Sequence, residues 1–229
     1  MTPQARPMNA PSRPSPLFEI ALDTIGQKLR ARPAAANQAD SAGHEQLEDY
    51  AHVLQGQLQL QRAPVALAEV LGHSWQRLAE AAQAKGLRYT CHGLAQLPER
   101  VLADARRLQQ IVDNLLSNAI RFTGSGRVEL HAHWHSEQAQ AGVLYLYVVD
   151  TGAGMSSRMK DKLFNPFDHL LSQLHRQHRG QSGFAGHLGL AVTAGIVRAW
   201  GGQIEVRSTL GTGSTFMVEL PMALAPAQA

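Results

Sequence analysis

The segment Arg107 to Thr123, RLQQIVDNLLSNAIRFT, constrains this chain more than any other. At the helical repeat Leu108, Ile111, Leu115, Leu116, Ala119 and Ile120 fall on one side, which must be buried. Asn114 and Asn118 lie one turn apart, so their amides reach the same point in space. Carboxamides on a helix this apolar are costly to bury without polar partners. A hydrated magnesium ion carrying nucleotide phosphates would supply them, because Mg2+ takes oxygen ligands and keeps several waters. Bonds from the amides to neighbouring backbone are the plainer alternative, and the segment alone does not choose between the two.

At 229 residues and 44% hydrophobic, the chain has the material for one cored domain, with room for a small appendage. The formal charge is +3, with basic residues scattered rather than in runs. That argues against a nucleic-acid surface and suits an anionic small ligand. Cys91 is the only cysteine, so a disulfide frame and a paired-cysteine metal site are excluded and a reducing, cytoplasmic setting is expected. The first residues lack the apolar core of a secretory signal, and the run Val143 to Val149 is too short to cross a bilayer. No direct membrane insertion is expected.

Residues 1–16 carry Pro3, Pro7, Pro11, Pro14 and Pro16 and read as a flexible tail. Phe18, Leu22, Ile25 and Leu29 then mark a helix from Leu17 to Arg30 with a coiled-coil-like seam. A second helix is expected from about Ser41 to Leu58, seamed by Leu47, Tyr50, Leu54 and Leu58. Two such helices cannot bury their stripes alone, so residues 17–60 read as a hairpin that pairs with a second copy. Further on, Val65 to Ala84 reads as a helix, and Leu87 to Cys91 and Val101 to Ala103 as strands, with Asp104 as N-cap of the Asn-bearing helix. Arg127 to His135 alternates, with Val128, Leu130, Ala132 and Trp134 inward. Val143 to Asp150, Gln203 to Ser208 and Ser214 to Leu220 complete the strands, and Leu188 to Trp200 the helices. The implied architecture is a two-layer α+β sandwich with helices on one face of a mixed sheet.

Several segments now stand in a telling order. RLQQIVDNLLSNAIRFT is followed by VVDTGAGM (148–155), LFNPF (163–167), GHLGLAVTAGIVRAWGG (186–202) and GTGSTF (211–216). This resembles the N, G1, F and G2 boxes of the histidine-kinase catalytic domain, of the ATPase superfamily shared with DNA gyrase and heat-shock chaperones. The likeness runs over residues 61–222 and leaves 223–229 as a tail. It implies a Bergerat-type ATP-binding fold with ATP and Mg2+ as ligands, Asn114 and Asn118 holding the metal. The implied nucleotide site adds Arg121, Phe122, Asp150, Gly152, Gly154, Phe167, Gly186, His187, Leu188, Gly189 and Leu190. Asp150 ends a buried strand and can accept a hydrogen bond from an adenine amino group. Gly152 and Gly154 remove side chains so that a base can approach the backbone.

Where hydrolysing relatives place a general-base Glu one turn before the second Asn, this chain has Asn114, an amide that is no base at neutral pH. The helix therefore suits holding ATP for transfer rather than hydrolysis. The stretch Ser156 to Ala185 would be a lid, its Arg158, Lys160, Lys162, Arg176 and Arg179 set against phosphates and its Phe164 and Phe167 packed as anchors. Singly, each of those cations reads equally well as a solvated loop residue.

The chain departs from the pattern twice. His187 stands where the family's G2 box has a glycine; its bulk would obstruct the backbone's approach to phosphate, although an imidazolium there could touch a phosphate instead. Counting back from Pro16-Leu17, the place of the phosphoacceptor histidine falls on Pro11. His44-Glu45 has the right dipeptide but sits at the start of the second helix and reads as a capping or surface pair. No catalytic residue is assigned. His131, His133 and His135 share one strand face, which His175 and His178 of the lid could complete as a metal site; the solvent side of a half-buried strand is the simpler reading.

The expectation is thus a homodimeric transmitter-like module that binds Mg-ATP and phosphorylates a histidine on a partner kinase chain, or works with a response regulator. The alternative is a degenerate kinase acting as an adaptor with weak or no ATP binding. A serine kinase of the anti-sigma type shares the catalytic fold but has no need of a hairpin.

Overall fold

Alternating apolar and polar side chains build a mixed sheet, and three amphipathic or fully apolar helices close over one face of it. The computed structural model describes residues 38–161, 163–164 and 188–226. In chain order these form α1 (Gln38–Gln55), β1 (Ala63–Val65), α2 (Leu67–Ala84), β2 (Arg88–His92), β3 (Val101–Ala103), α3 (Ala105–Phe122), β4 (Arg127–Gln138) and β5 (Ala141–Asp150). They are followed by α4 (Ser157–Lys160), α5 (Gly189–Trp200), β6 (Gln203–Thr209) and β7 (Gly213–Leu224). The expected helix Leu17 to Arg30 and the tail before it lie outside the described residues. Among the described residues no helix is long and apolar enough to cross a membrane.

The strand order is β1-β3-β7-β5-β4-β2, with β6 paired to β7. Among the described strands only β2 and β4 run parallel; the other pairs are antiparallel. Register sets Asp150 between Val128 of β4 and Ser214 of β7, at one end of the sheet. Leu130, Leu144, Leu146, Val148, Val218 and Leu220 of the inner face are at most 1% exposed, and all six core positions expected on α3 are at most 5% exposed. Burying each large aliphatic side chain contributes about 1.5–3 kcal/mol. Trp134 is only half-buried, because β4 runs on past the helices into exposed residues.

Several boundaries differ from the sequence reading, with α1 at Gln38–Gln55 rather than Ser41 to Leu58 and β4 running on to Gln138. Val65 belongs to β1, paired with Val101 of β3, so the helix expected from Val65 starts at Leu67. The strand expected from Leu87 begins at Arg88. At the far end β7 runs on to Leu224 rather than stopping at Leu220, into the stretch 223–229 expected as a tail, because Ala223 and Leu224 pair with Leu102 and Val101.

The seam of α1 also finds cover inside the chain. Leu47 is 4% and Tyr50 0% exposed, with α1 packed on α5, where Gly195 leaves room for Val53. Asp49, itself buried, pairs with Arg107 Nη1 at 2.6 Å and accepts from Gln110 Nε2 at 2.6 Å, tying α1 to α3. A helix apolar all round, such as α5, has to be covered on both sides, here by the sheet and by α1.

Candidate functional site

Helix α3 is fixed at its start by Asp104, whose Oδ1 accepts the Arg107 N–H at 3.0 Å while Oδ2 accepts the Gln61 N–H at 2.9 Å. Such a cap contributes about 1 kcal/mol. Halfway along, the Asn114 amide nitrogen donates to the Gly189 carbonyl and to the Thr193 hydroxyl, both at 3.2 Å. These bonds seat α3 against the N-terminal turn of α5 and fix which way the amide faces. A Cβ at Gly189 would stand 3.2 Å from the Asn114 carboxamide, so the glycine permits this approach. Leu188, at the same turn, is fully buried and Leu190 partly so.

One turn on, Asn118 Oδ1 accepts from Arg121 Nη2 at 2.7 Å, and the Arg121 guanidinium lies 4.5 Å above the Phe122 ring. Phe122 is 55% exposed, an unusual position for a ring at a helix end. The carbonyls that close α3 are held by Lys85, whose ammonium donates to Ile120 O at 2.7 Å, Arg121 O at 3.1 Å and Thr123 O at 3.4 Å. A cation at a helix C-terminus also meets the negative end of the helix dipole. Sequence reasoning missed Lys85; the only signal was a lysine just past the last turn of α2.

The turn after β5 abuts the end of α3. Asp150 is 6% exposed, and its Oδ1 accepts the Gly152 N–H at 2.8 Å. Burial pushes its carboxyl above the usual range, opposed by the Gly152 N–H and by the N–H and hydroxyl of Ser214. The Ala153 N–H reaches the Phe122 carbonyl at 3.3 Å, and a Cβ on Gly152 would lie 2.5 Å from that same oxygen. Gly154 turns at φ +63° beside Thr209. At both glycines the chain's own backbone fills the space beside the α-carbon. A second staple joins this turn to the β6–β7 turn, where Ala153 O accepts the Gly211 N–H at 2.7 Å and Ser208 Oγ accepts the Met155 N–H at 2.8 Å. Sequence reasoning singled out neither Ser208 nor the role of Ser214.

The structure thus gathers Asn114, Asn118, Arg121 and Phe122 on the second half of α3, with the Asp150–Gly154 turn against its end and Leu188–Leu190 at its flank. Phe167, Gly186 and His187 lie outside the described residues, as do Pro11, Lys162, Arg176, Arg179, His175 and His178. Of the segment expected as a lid, Ser156 caps α4, and Lys160 donates to the Ser208 carbonyl at 3.2 Å. Phe164 meets Phe216 edge to face with centroids 6.4 Å apart, an anchor of the expected kind.

On the opposite sheet face, His131 stacks on His92 with centroids 4.7 Å apart and bonds Glu129, while His133 and His135 are exposed. Among the described residues no group of three or more His, Cys, Asp or Glu is arranged to hold a metal ion.

The family model described as histidine kinase-, DNA gyrase B- and HSP90-like ATPase matches residues 103–224. The chain is 31% identical over 178 residues to the signal transduction histidine-protein kinase BarA of Escherichia coli K12, covering 78% of this chain and 19% of BarA. It is 34% identical over 174 residues to the sensor protein GacS of Pseudomonas syringae pv. syringae, covering 76% of this chain and 19% of GacS. The chain therefore spans about a fifth of the length of these relatives. Among solved structures, full-length ShkA in complex with AMPPNP matches with a TM-score of 0.60 and 26% identity, over 93% of this chain and 44% of ShkA.

Proposed function

The chain belongs to the family of histidine kinase-, DNA gyrase B- and HSP90-like ATPases, and on that premise we propose that it is a transmitter-like module of two-component signalling. It binds Mg-ATP and passes the phosphoryl group to a histidine on a partner chain. Residues 17–60 act as a dimerisation-like hairpin, and the catalytic unit begins near residue 61. The observation that carries this reading is the shared framework around α3: an Asn114 amide anchored to α5, and a buried Asp150 anchored to the turn that abuts Phe122.

Each group has a task in this reading. With its nitrogen bound to Gly189 and Thr193, Asn114 has its carbonyl oxygen left as the hard donor that magnesium takes, and Asn118 offers a second amide oxygen. The donor set fits the metal, which when bound would neutralise phosphate charge. Arg121 supplies positive charge beside the phosphates, and Asp150 accepts from the base. Position 114 carries an amide, and the neighbouring Asp113 carboxylate is paired with Arg77, so attack by water is not promoted there.

The test is titration of the full chain with a fluorescent ATP analogue, with and without Mg2+. Expected is magnesium-dependent binding that Asn114→Ala or Asp150→Ala weakens by about tenfold or more. Retained affinity in either variant would mean that the pocket lies elsewhere. Incubation with radiolabelled ATP and an acceptor-bearing hairpin then reads transfer.

A second reading, an adaptor that regulates a kinase or response regulator, is favoured by Pro11 at the acceptor place and His187 in the glycine box. An absence of nucleotide binding that His187→Gly does not restore would decide for it.

A further inference from the structure

Ser208 lies on β6, outside every glycine box, yet its hydroxyl joins two parts of the site. Oγ accepts the Met155 N–H at 2.8 Å, donates to the Gly213 carbonyl at 2.9 Å and lies 3.0 Å from Ser214 Oγ, where either hydroxyl can donate. Ser214 in turn offers its N–H and hydroxyl to the Asp150 carboxylate. A chain of contacts therefore runs from the far end of the Asp150–Met155 turn, through two serines, back to the acid at its start. Two hydroxyl protons serve three acceptors along it: the Gly213 carbonyl, the oxygen of the other serine and the carboxylate. When Ser214 gives its proton to Asp150, Ser208 can turn its own proton onto Ser214. Linked hydrogen bonds of this kind strengthen one another in a partly buried setting.

We propose that Ser208 is a positioning residue that sets base specificity, holding Asp150 through Ser214 in the orientation that accepts from an exocyclic amino group. The inference rests on the reading of Asp150 as the group that meets the base. Ser208 touches neither base nor phosphate; it acts through Ser214 and through the Met155 end of the turn. A hydroxyl is required at 208 because the position both accepts from a backbone N–H and donates to a neighbour, which no aliphatic side chain can do.

The experiment compares Mg-ATP with Mg-ITP, whose base carries a carbonyl where adenine carries the amino group, on the full chain and its variants. The unmodified chain is expected to prefer ATP. Ser208→Ala should shrink that preference by about tenfold, the value of one hydrogen bond to a charged group, while Ser208→Thr, which keeps the hydroxyl, restores it. Should the alanine variant not fold, Ser208→Cys, close in shape and a poor donor, gives the same comparison. A preference that survives in Ser208→Ala, however weak binding becomes overall, overturns the relay and leaves Asp150 as reader of the base. An unmodified chain that binds both nucleotides equally overturns the reading of Asp150 and the relay with it.

Discussion

At Asp150 burial disfavours the ionised carboxylate and raises its pKa, and the three donors around it only partly oppose the rise. The native chain therefore holds this proton more tightly than the unfolded chain does. Stability linked to the group is full below the ordinary carboxyl pKa of about 3.9 and is lost as pH rises through the higher native value. Asp150→Asn should accordingly melt above the unmodified chain at pH 7, and the gap should close on acidification to about pH 4. Thermal denaturation across that range checks it; a gap that does not change with pH would show that ionisation is not the cause. Asn114 and Asp150 were legible as candidates because the signal is local: a polar residue on an apolar helix face, or an acid ending a buried strand. Lys85 and Ser208 were not, because their partners lie 35 and 53 residues away and a lone lysine or serine announces no partner.

Periodicity read α3, β4, β5, α5 and the β6–β7 pair from the sequence, since each buries a whole face in its own repeat. The three-residue β1 was lost inside an expected helix because its pairing to β3 is set by a distant strand. The packing of α1 was hidden for a similar reason. Its seam looked ready for a second copy, and nothing in the local pattern says that α5 presents Gly195 opposite Val53. Gly195→Val would drive a branched side chain into Val53, whose two γ-carbons a bare Cβ at 195 would already strike. The expected outcome is an undocked α1, seen as faster limited proteolysis within residues 38–55; unchanged cleavage would mean that this contact does not hold the helix. Asp49→Ala should be harsher, by about 3–5 kcal/mol, because it strips a buried guanidinium of its carboxylate partner.

For the molecule as a whole, the ordered boxes made the sheet-and-helix architecture legible before any geometry, since each box demands a particular strand end or helix start. Assembly was less so. Leu47 and Tyr50 are covered by the chain's own helices, so pairing through α1 competes with docking on α5. Sedimentation at matched concentration should then find more dimer for Gly195→Val than for the unmodified chain. Equal masses would place any self-association on another surface.

The ammonium of Lys85 closes the end of α3, and the Phe122 carbonyl beyond it supports the Gly152 turn. Acetylation of that nitrogen would abolish its charge and leave one N–H where three carbonyls now wait. A single acyl group there should thus free the end of α3 and the turn braced against it, read as a lower melting temperature of the acetylated chain.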